Sequence, residues 1–160
     1  MLHNMLRKFK TRGFDQPTSR LFDQDTFYKA FIDDLHCCRN EVVIESPFLT
    51  VRRVNLLLPV LQKLRRRDVR ITINTKPLEE QEDYFYAEGV EAIAKLQAIG
   101  IQILYTGGHH RKLAVIDRSI VYEGSLNILS QGDSCEIMRR IQSDSMALEV
   151  LSFTQLLRYL

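Results

Sequence analysis

The sequence predicts an α/β domain, a mixed β-sheet flanked by helices on both faces. Two observations carry that reading. Segments with apolar residues three and four apart alternate with short segments that are apolar throughout or at every second position, in the order αβαβαβββαβα. Hydrophobic residues make up 45% of the chain and charged residues 26%, the balance of a globular protein that buries its own core. No internal repeat, low-complexity stretch or linker divides the 160 residues, so 1–160 reads as a single domain, with 1–20 as a basic, flexible N-terminal arm.

Phe27, Phe31 and Leu35, with Ala30 and Asp34 beside them, give a helix over about 25–38. EVVIES, 41–46, is a short apolar strand stopped by Pro47. Leu57, Leu58, Leu61 and Leu64 form a second helical stripe, and Pro59 places the start of that helix close before it. VRITINT, 69–75, alternates as a strand. The segment 76–89 leads into a helix with core positions Val90, Ile93, Ala94 and Ala98, ended by Gly100. Residues 101–106, 111–116, 119–122 and 135–142 read as further strands. Met146, Val150, Phe153 and Leu157 mark a last helix.

The net charge of +2 is unevenly spread. Arg7, Lys8, Lys10 and Arg12 form one basic cluster, and Arg52–Arg70 holds seven basic residues against Asp68 alone, which admits a polyanionic partner. Glu79, Glu80, Glu82, Asp83, Glu88 and Glu91 form an acidic block, read as solvated surface. Cys37, Cys38 and Cys135 lack metal-ligand or disulfide spacing, and the longest apolar run, Leu56–Leu61, is too short for a membrane span. A cytoplasmic protein with no membrane association is expected.

The chemistry concentrates in HHRKLAVIDRSIVYEGSLN, 109–127. In an extended segment His110 and Lys112 project from one face, so a nucleophile and a cation share a pocket wall. Gly124 permits close approach of a backbone or ligand, and Ser125 and Asn127 bring a hydroxyl and an amide at the opening of a further helix. A phosphate or phosphodiester suits such a place. Adjacent His109 and His110 face opposite ways and Cys135 with Glu136 has no ligand spacing, so no metal and no cofactor is expected. His109 reads as a neighbour without chemistry, and Glu45 and Ser46 as a plain strand end.

His110-x-Lys112, four residues, Asp117, six residues, Gly124-Ser125-x-Asn127 resembles the HxK(x)4D(x)6GSxN signature of the phospholipase D superfamily without a gap. Six specified residues at fixed spacing arise by chance about once in 10^5 chains of this size. The resemblance implies the phospholipase D-like fold and a role for each matched residue. His110 attacks phosphorus, Lys112 and Asn127 hold the non-bridging oxygens, and Ser125 supports them. Glu136 is the candidate carboxylate that orients His110, and Asp117 and Gly124 are structural.

The family's chemistry uses two histidines, and this chain has one HxK, so the resemblance implies a homodimer with a shared site. Three functions remain open: a metal-independent nuclease acting on DNA or RNA, with DNA favoured, a phosphodiesterase or transferase on lipid headgroups, and a nucleic-acid-binding module with weak or lost catalysis. The short single-motif chain and the basic 52–70 segment favour the nuclease.

Overall fold

The structure, a computed structural model, describes residues 18–160. The basic cluster Arg7–Arg12 lies outside them. One seven-stranded sheet organises the described residues. Its strands are β1 (Thr18–Asp23), β2 (Glu41–Glu45), β3 (Arg70–Thr75), β4 (Gln102–Tyr105), β5 (Leu113–Ile116), β6 (Ile120–Gly124) and β7 (Ile137–Gln142). The spatial order is β1-β7-β6-β5-β2-β3-β4. β2, β3 and β4 are parallel, and the pairs β2–β5, β5–β6, β6–β7 and β7–β1 are antiparallel. Crossover helices α2 (Val51–Arg66) and α3 (Asp83–Ala98) join the parallel strands, and a tight turn at 117–119 joins β5 to β6.

Each face of the sheet has its own core. Helix α1 (Phe27–Cys37), α2 and α3 pack on one face, where Phe27, Phe31, Leu57, Leu61 and Leu96 meet Ile44, Ile73 and Tyr122. Helix α4 (Asp144–Phe153) covers part of the other, setting Ala147 and Leu151 against Val43, Val115 and Val121. The predicted mixed sheet with helices on both faces is the observed one.

Several local expectations are corrected. Thr18–Asp23 is an edge strand, so Thr18, Ser19 and Arg20 of the expected arm belong to the sheet, and the rest of it lies outside the described residues; only Phe22 is buried in the strand, and the sequence carries no alternation to read. Helix α2 runs through Pro59, starting eight residues before it behind Thr50, whose hydroxyl accepts the Arg53 N–H. Burial of Val54, Leu57, Val60, Leu61 and Leu64, each contributing roughly 1.5–3 kcal/mol, outweighs a proline cost of about 3 kcal/mol. Helix α3 buries Ala92, Ile93 and Leu96, leaving Val90, Ala94 and Ala98 exposed. In α4 the buried residues are Ala147 and Leu151, one position beyond the expected Met146 and Val150, and Phe153 is exposed.

No helix follows Asn127. Its backbone neighbourhood is claimed by other elements: Leu129 N–H donates to Ser46 Oγ (3.1 Å), Thr50 N–H to the Leu129 carbonyl (2.8 Å), and Tyr28 Oη–H to the Ile128 carbonyl (2.9 Å). Leu126, Ile128 and Leu129 are thereby sunk into the α1–α2 core.

The Asp117 carboxylate closes the sheet's middle. It accepts the backbone N–H groups of Arg39 (2.8 Å), Asn40 (2.7 Å) and Glu41 (3.1 Å), fastening the β5–β6 turn to the start of β2. Burial works against its charge, but these three donors prevail and hold the carboxyl below its usual range. A lowered folded value means stability that is fully present above the unfolded value of 3.8 and lost as pH falls through the lowered one. Asp117→Ala is therefore expected to destabilise the fold by about 2 kcal/mol or more at pH 7. In urea titrations its deficit against the native protein should shrink below about pH 4. A pH-independent deficit would contradict this role.

Candidate active site

Strand β5 begins at Leu113, so His110, Arg111 and Lys112 form the extended segment that leads into it rather than its first residues. Their directions still alternate. Arg111 is drawn back to the sheet, where its Nε and Nη2 donate to the two oxygens of Glu45 at 2.7 Å each. His110 and Lys112 share the outward side: Lys112 Nζ lies 2.8 Å from His110 Nδ1 and 2.6 Å from the His110 carbonyl oxygen. With the ammonium as donor, Nδ1 keeps its lone pair and a neutral ring carries its proton on Nε2.

Both side chains line a cavity of about 750 Å³, together with Gly124, Ser125, Leu21 and Ile137. Burial pushes the Lys112 ammonium down from its usual range, opposed by the nearby Glu136 carboxylate. Ser125 bridges β6 to β7. Its N–H donates to the Ile137 carbonyl (2.9 Å) and its Oγ accepts the Ile137 N–H (3.1 Å), which leaves its own hydroxyl proton free to turn toward Glu136. The hydroxyls of Ser125 and Ser134 and the charge of Lys112 hold the Glu136 carboxyl below its usual range.

The motif residues are not all gathered in one place. Glu136 stands just before β7, accepts from Ser134 Oγ (2.7 Å), and makes no hydrogen bond to His110. Asn127 borders a neighbouring cavity rather than the one at His110, and its buried Oδ1 has no partner among the described residues. Asp117 lies at the far end of β5, engaged as described above.

Sequence reading missed the support behind the motif. Glu45, taken as a plain strand end, is fully buried and also accepts from Asn74 Nδ2 (2.8 Å); Thr106 Oγ1 in turn donates to Asn74 Oδ1 (3.0 Å). His109, taken as a bystander, is buried, accepts the Arg111 N–H at Nδ1 (3.2 Å) and sets Nε2 3.5 Å from Glu45. Burial alone would raise the Glu45 carboxyl, and His109, Arg111 and Asn74 together bring it below its usual range. An acid closing a strand, followed far along the chain by an arginine inside HxK, was the available signal.

Four of the seven basic residues in the run do structural work. Arg53 donates to the Gln131 (2.5 Å) and Gly132 (3.3 Å) carbonyls, Arg65 to Val69 (2.7 Å) and Ile99 (3.3 Å), Arg67 to His36 (3.3 Å) and Cys38 (3.2 Å), and Arg70 pairs with Glu41 (2.8 Å). Among the described residues no group of three His, Cys, Asp or Glu side chains is placed to hold a metal ion, and no helix is long and apolar enough to cross a membrane.

A histidine and a lysine thus share one cavity wall, backed by a Gly-Ser turn, on a mixed α/β sheet. The family described as "Cardiolipin synthase, PLD-like domain" matches residues 31–156, and the chain belongs to it. The fold is similar to that of the phospholipase D family member Nuc from Salmonella typhimurium, with a TM-score of 0.70, 14% identity, and 88% of this chain and 93% of that one covered. It is also similar to NucT from Helicobacter pylori, with a TM-score of 0.68, 18% identity, and 88% and 94% covered. Polyphosphate kinase from Porphyromonas gingivalis contains a similar fold, at a TM-score of 0.69 and 11% identity, over 88% of this chain and 26% of that one. A search of curated proteins gave no match.

Gly124 is fixed by contact rather than by backbone angle. A Cβ there would stand 2.1 Å from the Ile137 carbonyl oxygen and 2.8 Å from Met138 Sδ. Gly124→Ala must therefore push β6 from β7 at the point where Ser125 enters the site. We expect a loss of roughly 1–3 kcal/mol in urea unfolding, with a matching loss of activity. A variant of native stability would refute this close-approach argument.

Proposed function

We propose that this protein is a metal-independent phosphodiesterase, an endonuclease that cleaves DNA in preference to RNA through a phosphohistidine at a site shared by two subunits. The observation that carries the reading is the 2.8 Å contact between Lys112 Nζ and His110 Nδ1 at the wall of an open cavity. In that resting arrangement the neutral ring has its proton on Nε2, so no ring nitrogen is free to attack. An incoming phosphodiester gives the ammonium a better acceptor. As Lys112 turns to a non-bridging oxygen, Nδ1 can take the proton and Nε2 becomes the nucleophile, with Glu136 or a neighbouring acceptor holding Nδ1–H.

The new P–N bond forms as the bond to the leaving oxygen breaks. That oxygen needs a proton, and a second histidine must supply it and later take one from the attacking water, whose oxygen displaces His110. Of the other described histidines, His36 ends α1 and His109 is buried at Glu45. His110 of a second copy across a twofold axis meets the requirement. Ser125, in the same cavity, then supports the phosphoryl oxygens as charge develops, and the Asn127 amide would have to reach them from the neighbouring cavity.

A second reading has a specific support. Leu21 and Ile137, each about half exposed, line the cavity beside His110 and would suit the apolar part of a phospholipid. Assay of single- and double-stranded DNA, RNA and phospholipid vesicles side by side, beside His110→Ala, separates the two. We expect DNA cleavage to persist in EDTA, to vanish in His110→Ala, and to fall about 10²- to 10³-fold in Lys112→Ala. Activity that EDTA abolishes and Mg²⁺ restores would end the proposal; headgroup release without DNA cleavage would favour the lipid reading.

The shared site makes its own prediction. In mixtures of native and His110→Ala protein with free subunit exchange, activity per total protein should follow the square of the native fraction, about a quarter at equal amounts. Because one histidine must be neutral while its twin is protonated, the pH profile should be bell-shaped, with apparent values belonging to the pair. A linear dependence on native fraction would show that each chain works alone.

A further inference from the structure

Next to the His110 cavity lies a second one of about 450 Å³ that the chemistry above does not use beyond Asn127. Four observations constrain its occupant. Tyr84, 65% exposed, meets Phe85 edge-on (centroids 5.2 Å apart, 75°), and Phe85 is stacked on Phe48 (4.5 Å, 27°). The exposed ring is thus braced by Phe85, which Phe48 holds in turn. Asn127 Oδ1 and Ser130 Oγ both belong to residues lining this cavity, and both are buried without a hydrogen-bond partner among the described residues. Buried polar atoms are ordinarily paired, so a ligand with a polar edge would complete them.

The third observation excludes one ligand. Glu88 Oε2 accepts the Val51 N–H at 2.8 Å, so the start of α2, which would otherwise attract an anion, already holds a carboxylate. A phosphate inside this cavity is repelled, whereas a neutral planar group carrying N–H donors finds acceptors. Fourth, Arg52 stands at the rim with no partner among the described residues, unlike Arg53, Arg65, Arg67 and Arg70. The two cavities are also neighbours in the chain. Ser125 lines one and Asn127 the other, and two residues span at most about 7 Å.

We propose that this second cavity is a nucleobase subsite. It takes one unpaired base of the strand whose phosphodiester sits at His110, stacked on Tyr84 with its polar edge toward Asn127, Ser130 and Glu88, while Arg52 holds the adjoining backbone phosphate. The proposal rests on the nuclease reading and narrows its substrate to single-stranded nucleic acid, because a base held in a duplex cannot enter without unpairing.

The test compares a single-stranded oligonucleotide with a base-free tetrahydrofuran–phosphate strand of equal length, for cleavage in EDTA and for binding by fluorescence anisotropy. The native protein should favour the base-bearing strand about tenfold in kcat/KM and in Kd. Tyr84→Ala should lose that preference while treating the base-free strand as the native protein does; Tyr84→Phe, which keeps the ring, should retain it. Equal handling of both strands by the native protein, or an equal fall on both in Tyr84→Ala, overturns the subsite and leaves the nuclease reading standing. Base-dependent binding that Tyr84→Ala abolishes, with cleavage of neither strand, keeps the subsite and overturns the nuclease reading.

Discussion

The antiparallel register of β5 on β2 is the constraint on which the rest depends. It pairs Val42 with Ile116 and Glu45 with Leu113, and a carboxylate fastens it at each end. At one end Asp117 takes three successive backbone N–H groups from Arg39 to Glu41. At the other, fully buried Glu45 takes both donors of Arg111. Because Arg111 is held inward, its two neighbours must face the other way. His110 and Lys112 share an outward wall because the residue between them is anchored. A buried carboxylate is costly unless fully paired, and Glu45 is supplied by Arg111 and Asn74, with His109 alongside.

The same register explains why the sheet changes character at its middle. β2 has a parallel neighbour, β3, on one side and an antiparallel neighbour, β5, on the other. Parallel strands need crossovers, so α2 and α3 accumulate on that half; in the antiparallel half β5 turns directly into β6, and β6 reaches β7 through 125–136 without a helix. The turn from Gly124 to Glu136 lies within the antiparallel half, yet its Leu126, Ile128 and Leu129 reach across into the helical core. Ser125 and Asn127 are therefore held from both sides, by β7 at Ser125 and by Ser46, Thr50 and Tyr28 just beyond Asn127.

What the sequence showed and what it hid follow from the range of the interactions involved. Period and alternation found six of the seven strands and all four helices, because all of these but the half-exposed β4 bury enough apolar surface to leave a pattern. β1 left none: a single buried Phe22 carries no period, and the strand exists because β7 offers it an edge. Pro59 and the GSLN segment were misread for a related reason, since tertiary packing overrode the local signal in both. Asp117 and Gly124 stood out in the sequence through their place in the motif. Glu45 and His109 were not, because their partner Arg111 lies 66 residues from Glu45 and nothing local distinguishes a buried acid from an exposed strand end.

Charge, finally, is arranged differently from what its count along the chain implies. The run from Arg52 to Arg70 looks like a binding surface in one dimension, yet Arg53, Arg65, Arg67 and Arg70 are consumed in closing carbonyls and a carboxylate of the fold. The acidic block divides in the same way, with Glu80 accepting the Gly108 N–H (2.8 Å) and Glu88 the first free N–H of α2. Engaging these groups internally leaves Arg52, Lys63 and Arg66 as the members of the run without a hydrogen-bonding partner among the described residues. Lys112 is unmatched beside His110 except for Glu136, and Arg52 is unmatched at the next cavity. A cation at each of two cavities that the Gly-Ser-x-Asn turn joins suits a ligand that carries more than one charge along its length.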